Sequence, residues 1–394
     1  MAQKNNIIHN FSKKLLQKSI FPHLKEYLLW QAGKKESEIE KFAPISINLD
    51  LITACNFRCT HCIDKDIINT GKFLDFDYVK KLIGDWAKKG LKSVILIGGG
   101  EPTLYPKFEE VIQFLKGLSL DVGIVSNGIR TDKIENICHL FGKKDWVRLS
   151  LDCATDETYE KLHHPVVDMT LEKTLAQVKK MRQKNSEFQM GYSFLVIGDD
   201  KEVAGVPVVS NIKEISLAAK KAKENGFSYL SLKPFINPEG DRLTEITAKN
   251  LEEIKEEIKK AKEFEDENFK VIESVNLLCF YDNDLKKQFE KQPKTCHAQF
   301  FRSVVIPAGI GCCSLWRGYN NTKIIDTNKE ITDDYYKELD KNRIKMINEF
   351  NAEKTCGQTL CLYAPLNWWI EELIQHPEKI EGLEQIDDFG DYFF

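Results

Sequence analysis

Three cysteines are packed into the run Cys55-Asn-Phe-Arg-Cys59-Thr-His-Cys62, spaced C-x3-C-x2-C directly after a strand-like segment. A structural zinc site needs a fourth ligand, and His61 is wedged too tightly between its neighbours to serve. A ferredoxin-like run needs a fourth cysteine close behind, whereas the next one, Cys138, is 76 residues away. Three thiolates on one loop suit a different arrangement. They hold three irons of a [4Fe–4S] cluster and leave the fourth iron open, and an open coordination position separates a reactive metal site from a structural one. A ligand that chelates through an amino and a carboxylate group fits that position.

The second chemical feature is Gly98-Gly99-Gly100-Glu101-Pro102, directly after the second strand-like segment. Three glycines let the backbone approach a ligand closely with its amides and carbonyls free. Glu101 adds an acceptor and Pro102 stiffens the exit. An ordinary strand-to-helix turn seldom needs three consecutive glycines.

The elements that position these loops alternate. Strand-like segments read Ser46–Ile52, Ser93–Gly98, Asp121–Ser126, Trp146–Asp152, Met190–Ile197 and Tyr229–Pro234, with amphipathic stretches at 75–89, 107–117, 131–141, 170–185 and 211–225 between them. Long helical returns imply parallel pairing. Alternation puts Arg148, Ser150 and Asp152 on one face of the fourth strand and Val147, Leu149 and Leu151 on the other. Ser46, Asn48 and Asp50 share a face in the first strand, and Tyr229, Ser231 and Lys233 in the sixth. A doubly wound sheet buries both faces, so strands with one polar face favour a barrel open enough for a polar ligand. Its chemistry belongs at the carboxyl ends of the strands, where both motifs lie.

Composition bounds the rest. The 394 residues carry a net charge of −4, which excludes nucleic-acid binding by bulk charge. A hydrophobic fraction of 42% supports a substantial core. No apolar run approaches the ~20 residues of a membrane span, so the chain reads as cytoplasmic. Its 11 cysteines, an odd count, read as ligands, reactive thiols or core residues instead of a disulfide framework.

The cysteine motif and the Gly-Gly-Glu-Pro that follows resemble the radical S-adenosylmethionine (SAM) superfamily. Ser126-Asn127-Gly128 and Ser150-Leu151-Asp152 extend the resemblance over residues 45–235. It implies an α/β fold, a partial (βα)6 TIM-like barrel, with one [4Fe–4S] cluster on Cys55, Cys59 and Cys62. SAM chelates the open iron and is cleaved reductively to a 5′-deoxyadenosyl radical that abstracts a hydrogen atom from the substrate. Residue by residue, Gly99, Glu101 and Pro102 match the loop that receives the methionine ammonium, and His61 the position near the adenine. Ser126 and Asn127 follow the third strand, and Ser150 and Asp152 match the polar pair near the SAM ribose and carboxylate. Many relatives place an arginine after the fourth strand for the SAM carboxylate. This chain offers His163-His164-Pro165 there, which leaves Arg148 as the substitute. The adenine-contacting segment of the fifth strand is echoed weakly at Val196-Ile197-Gly198.

A second constellation holds five of the 11 cysteines: Cys296, the pair Cys312-Cys313, Cys356 and Cys361. It resembles the twitch form of the SPASM extension, in which a hairpin and a helix carry four cysteines around an auxiliary [4Fe–4S] cluster. The implied ligands are Cys296, Cys312, Cys356 and Cys361, with Cys313 as the alternative to Cys312. The expected division is a helical extension over 1–45, the barrel over 46–240, a helical connector over 241–295, a small α+β iron–sulfur domain over 296–370 and an acidic, solubilising tail over 371–394. Cys138 and Cys153 read as core. Lys233 and Tyr229 are candidates to touch substrate, and Cys279 or Cys313 to return a hydrogen atom. Family frequency points to a ribosomally made peptide as substrate, with a sugar-like alcohol as the alternative and a non-catalytic iron–sulfur or zinc scaffold as the rival of another class. A flavodoxin or ferredoxin is the expected electron donor, and no nucleic-acid or membrane partner is expected.

Overall fold

A computed structural model of the chain describes residues 10–199, 201–237, 246–357 and 359–394. Its strands are β1 (Ser46–Leu49), β2 (Ser93–Leu96), β3 (Asp121–Ser126), β4 (Trp146–Ser150), β5 (Gln189–Val196), β6 (Glu202–Val203), β7 (Val206–Pro207), β8 (Tyr229–Pro234), β9 (Lys270–Glu273), β10 (Arg302–Ile306), β11 (Gly309–Gly311) and β12 (Lys323–Ile325). Ten of them form one sheet in the order β12-β11-β10-β1-β2-β3-β4-β5-β8-β9, and β6 and β7 form a separate hairpin. Pairing is parallel from β10 through β9, and only the β10-β11-β12 meander is antiparallel. The six strands read from the sequence are all present and follow one another across the sheet. This is the partial barrel.

Alternation along the strands decides which face does what. Val147 and Leu149 are fully buried under the helices, whereas Trp146, Arg148 and Ser150 keep accessible surface on the inner face. Helices Phe76–Lys88, Phe108–Gly117, Thr131–Ile137, Leu171–Lys184 and Ile215–Glu224 cover the outer face. One helix escapes the sequence reading. Asp156–His163 starts at the Thr155 cap, whose side chain accepts from the Thr158 amide, and ends at His164 in the left-handed region (φ 42°).

The strands carrying the second cysteine group do not stand apart from the barrel: β10 pairs in parallel with β1 along its whole length. The hairpin of β10 and β11 therefore extends the barrel sheet. Helices Asp333–Glu349 and Ala364–Gln375 pack on the same region.

The acidic tail is docked, which corrects its reading as a solubilising end. Lys14, itself buried, donates to Asp391 Oδ1 (2.9 Å) and the Phe393 carbonyl (2.6 Å). Gln17 Oε1 accepts from the Phe389 and Gly390 amides, and Ser93 Oγ donates to the Tyr392 carbonyl at 2.8 Å. Phe393 meets Trp146 edge-on at 5.5 Å. Ser93 and Trp146 open β2 and β4, so the tail closes the barrel at the end opposite the two motifs. Tyr392 and Phe394 are buried and Phe393 half-buried, whereas Phe389, Asp387 and Asp388 stay exposed. Deleting residues 387–394 strands a buried lysine charge and uncovers Phe11, and should cost roughly 3–5 kcal/mol of stability in urea unfolding.

His23 lies under Gly90, where a Cβ would fall 2.3 Å from the ring, and edge-on to Phe42 at 4.9 Å. Burial lowers its pKa from 6.5 to about 4. Between those values the unfolded chain binds a proton here that the folded protein does not. Stability is therefore full above about pH 6.5 and drains as pH falls toward 4, by about 2 kcal/mol at pH 5. His163 shifts the same way, also to about 4. Urea unfolding of His23→Leu across pH 5–7.5 should show a shallower slope than the wild type.

Candidate functional site

The cysteine loop leaves β1 and is clamped over the Asp156–His163 helix. Phe57 is buried and meets Tyr159 edge-on at 5.8 Å. The Arg58 amide donates to the His163 carbonyl at 3.0 Å, and the Arg58 guanidinium ties back to the Cys55 and Phe57 carbonyls. Cys55, Cys59 and Cys62 are free and half-buried. Burial, with the neighbouring thiols adding to it, pushes the Cys59 thiol well up and the Cys62 thiol to about 11. Cys55 moves the same way through burial. Thiols that resist ionisation individually yet stand together suit a metal, which supplies the positive charge that bare thiolates lack here.

His163 is the residue the sequence reading missed at this loop. Its Nε2 stands 2.7 Å from the Leu151 carbonyl, so that nitrogen carries the hydrogen. Nδ1 is left facing Cys59 Sγ at 3.2 Å. Burial holds the ring neutral, with its pKa about 4. The His163-His164 pair was visible in the sequence, but only the undetected helix turns its first member toward Cys59.

The glycine-rich loop serves packing and site together. A Cβ on Gly100 would lie 2.4 Å from the Ile52 carbonyl oxygen and 2.6 Å from that of Ala54, so only glycine lets this loop lie against the cysteine loop. The Glu101 amide then donates to the Ala54 carbonyl at 2.8 Å. Gly99 adopts φ +89°. Glu101 is not a free acceptor. Its Oε1 takes Thr103 Oγ1 (2.6 Å), the Thr103 amide (3.1 Å) and Ser126 Oγ (2.8 Å), and Oε2 takes the Asn127 amide at 2.7 Å. Burial raises its pKa against these donors. Glu101, Ser126 and Asn127 thus form one unit joining the loops after β2 and β3, and Asn127 Nδ2 reaches Asn56 in the cysteine loop at 2.8 Å. Pro102 is buried at the start of the turn after Glu101.

Asp152 sits just past β4 in the left-handed region (φ 52°), a strained position for a residue with a side chain. Its Oδ1 accepts from the Leu195 amide at 2.7 Å and its Oδ2 meets His61 Nε2 at 3.1 Å. Burial works against its charge, but the hydrogen bond from His61 and the pull of the neighbouring imidazoles hold its pKa below the usual value. Ser150 lies one inward position below. Arg148 lies below that, its guanidinium 5.3 Å over the Trp146 ring.

Arg317, a long way off in sequence, also enters the site. Its Nη1 donates to Asp64 Oδ2 at 3.0 Å and its Nε lies 3.6 Å from Asp50 Oδ2, and a Cβ on Gly98 would lie 3.1 Å from Nη1. Nothing local to residue 317 signals this; it follows from β10 joining β1.

The other cysteines divide. Cys296 precedes the helix Ala298–Phe301, Cys313 follows β11, Cys356 ends the helix Ala352–Cys356 and Cys361 precedes Ala364–Gln375. Burial raises the Cys296 thiol, aided by Cys313, Cys312 and Cys356. It raises Cys361 with help from Cys296, Cys313 and Cys356. Cys312 belongs to the main apolar core, its amide bonded to the Thr322 carbonyl, whereas Cys313 is half-buried at the core's edge. Cys279 lies in a separate apolar cluster with Val275, Phe289 and Leu360. Cys138 and Cys153 are core residues.

A parallel barrel that holds three grouped thiols beside a glycine-rich loop, at the carboxyl ends of its strands, has the frame of an enzyme built around an iron–sulfur cluster and SAM. Residues 49–204 match the model of the Radical SAM superfamily, and the chain carries a domain of that family. That family implies a [4Fe–4S] cluster and SAM as cofactors. The chain is 32% identical over 124 residues to the S-adenosylmethionine-dependent nucleotide dehydratase of Thermoplasmatales archaeon (strain ISO4-H5), covering 32% of this chain and 42% of that protein. It spans less than half the length of such curated relatives. Streptococcus suis SuiB shares the fold at a TM-score of 0.55 and 16% identity, over 75% of this chain and 66% of SuiB. One SuiB structure holds the precursor peptide SuiA. The structure of anSMEcpe with bound AdoMet aligns at a TM-score of 0.53 and 13% identity, over 86% of this chain and 98% of that one. Among the described residues, no helix is long and apolar enough to cross a membrane.

Proposed function

We propose that this protein is a radical SAM enzyme that acts on a peptide, with a second cluster held by Cys296, Cys313, Cys356 and Cys361. The single observation that carries the catalytic part is the grouping of the three free thiols of Cys55, Cys59 and Cys62 against the Gly98–Glu101 loop. A [4Fe–4S] cluster with SAM on its open iron supplies a carbon radical that removes a hydrogen atom from the substrate.

The chain's own residues hold the parts. The carbonyls and amides of Gly98–Gly100, kept in place by the Glu101–Ser126–Asn127 unit, would hold the methionine end of SAM. His61, oriented by Asp152, would pack at its adenine end. Both carboxylates are fully engaged by protein donors, so they fix geometry and the backbone and ring make the contacts. Both Cys312 and Cys313 act on Cys296, but Cys313 also acts on Cys361 and is half-buried, whereas Cys312 packs in the core, and Cys313 is therefore the member chosen for the second set. Fully ligated iron has no site for substrate, which suits electron relay.

The peptide assignment rests on SuiB, which shares the fold and has been seen with SuiA. The test is anaerobic reconstitution, iron counting and reduction in the presence of SAM. Formation of 5′-deoxyadenosine with about eight irons per chain supports both clusters, and about four removes the second. Absence of 5′-deoxyadenosine overturns the radical reading. Turnover of a sugar-like alcohol in place of any peptide overturns the substrate class.

A further inference from the structure

Three adjacent strands present their inner faces from the closed end of the barrel up to the level of Asp152. Register aligns Arg148 with Gly191 and Gly191 with Tyr229, then Ser150 with Ser193 and Ser193 with Ser231. Leu195 and Lys233 pair in the row above. Gly191 has no side chain because the Tyr229 ring lies across it, 2.3 Å from where a Cβ would stand. Trp146, which Phe393 of the docked tail supports from below, forms the floor under Arg148. The wall thus carries a guanidinium, an ammonium, a phenol and a row of small hydroxyls.

The Arg148 Nε is buried without a hydrogen-bond partner, and among the described residues no acid pairs with Arg148 or Lys233. Among the described residues Asp152 is the acid that acts on Lys233, and both its oxygens are already engaged. Two half-buried cations near one another repel unless an anion lies between them. Arg148 stands two inward positions deeper than Asp152, ~13 Å along the strand, while Lys233, paired with Leu195, stands level with Asp152, so the two cations span the lumen from its floor toward the end where SAM belongs.

We propose that Arg148 and Lys233 form an anion-binding subsite in the barrel that takes a carboxylate or phosphate group of the substrate. The inference deepens the radical SAM reading and rests on it. In a peptide, the group would be an acidic side chain or a terminal carboxylate. Bidentate pairing with Arg148 sets its orientation, and the Tyr229 hydroxyl is placed to add a donor. Burial, followed by the charge of Arg148, lowers the Lys233 pKa to about 7, as expected of a cation whose counter-ion arrives with the ligand.

Mass spectrometry of lysine acetylation on the anaerobically reconstituted full chain tests this, with sodium glutarate and inorganic phosphate as probes. Lys233 should be acetylated faster at pH 7.5 than exposed lysines such as Lys341, and one or both anions should slow it. Protection by glutarate alone assigns a carboxylate, and protection by phosphate alone assigns a phosphate. Arg148→Gln should require about tenfold more anion for equal protection, the loss of one charged hydrogen bond, and Arg148→Lys should recover most of it. Lys233 labelling that ignores both anions, in a preparation that still forms 5′-deoxyadenosine, overturns the subsite and leaves the radical reading intact. A preparation that shows anion protection but forms no 5′-deoxyadenosine overturns the radical reading and with it the subsite's place in that reaction.

Discussion

Replacing Cys55, Cys59 and Cys62 together with alanine should reduce 5′-deoxyadenosine formation to the background of the reductant alone, a loss of three orders of magnitude or more on the scale at which metal centres contribute to catalysis, roughly 10³ and above. The effect is that large because these three thiols stand together on the loop against Gly98–Gly100, and removing them takes away all three cysteine ligands of that loop at once. His163 Nδ1 faces the loop as one neutral donor, and a single imidazole does not replace the three thiolates a cluster needs. The fold should survive. All three side chains are half-buried, and the loop is anchored by Phe57, Arg58 and its backbone contacts to Leu162 and His163. Anaerobic assay by chromatography, with circular dichroism on the same preparation, measures both. SAM cleavage by the triple variant above the reductant background would sink the cluster assignment.

The second large effect separates two neighbouring cysteines. Cys313→Ala should lower iron from about eight to about four per chain, block product formation and leave some SAM cleavage. Cys312→Ala should keep its iron and instead lower stability by about 1 kcal/mol, as expected for trimming a small buried side chain. The argument is one of direction: consecutive residues leaving a strand point to opposite faces, so only one of the pair can join Cys296 and Cys361. Cys312 packs into the barrel core while Cys313 lies at its edge. If Cys312→Ala loses the iron and Cys313→Ala keeps it, the ligand set is wrong at that position. Iron analysis beside urea unfolding gives both numbers from one preparation of each variant.

Most of the barrel was legible in the residues alone. The six strands were readable because a parallel strand carries its own record of burial, apolar on the helix side and polar on the lumen side, as in Trp146–Ser150. The cysteine and glycine motifs were readable because their chemistry requires short, fixed spacings. What escaped was set by contacts between distant segments. The Asp156–His163 helix has too few apolar residues to announce itself, and without it His163 reads as a departure from pattern instead of the partner of Cys59. Glu101 reads as a free acceptor until Ser126 and Asn127 arrive from the next strand to occupy it. The tail reads as solvated because eight acids outweigh one lysine in sequence, yet burial follows the faces of Tyr392 and Phe394 and not the average charge.

Sequence by itself thus determined the class of chemistry and the frame: three thiols for a cluster, a glycine loop beside them and an open parallel barrel around both. Only the tertiary structure decided which residues are available to do work there. Pairing of β10 with β1 brings Arg317 to Asp50 and Asp64, the docked tail closes the floor under Trp146, and strand register sets Arg148 and Lys233 in the lumen with no acid paired to either among the described residues. The physical reason is the range of the forces involved. Hydrogen-bond spacing and side-chain alternation act over a few residues and leave a trace in sequence, whereas burial and charge compensation depend on what the completed fold places nearby.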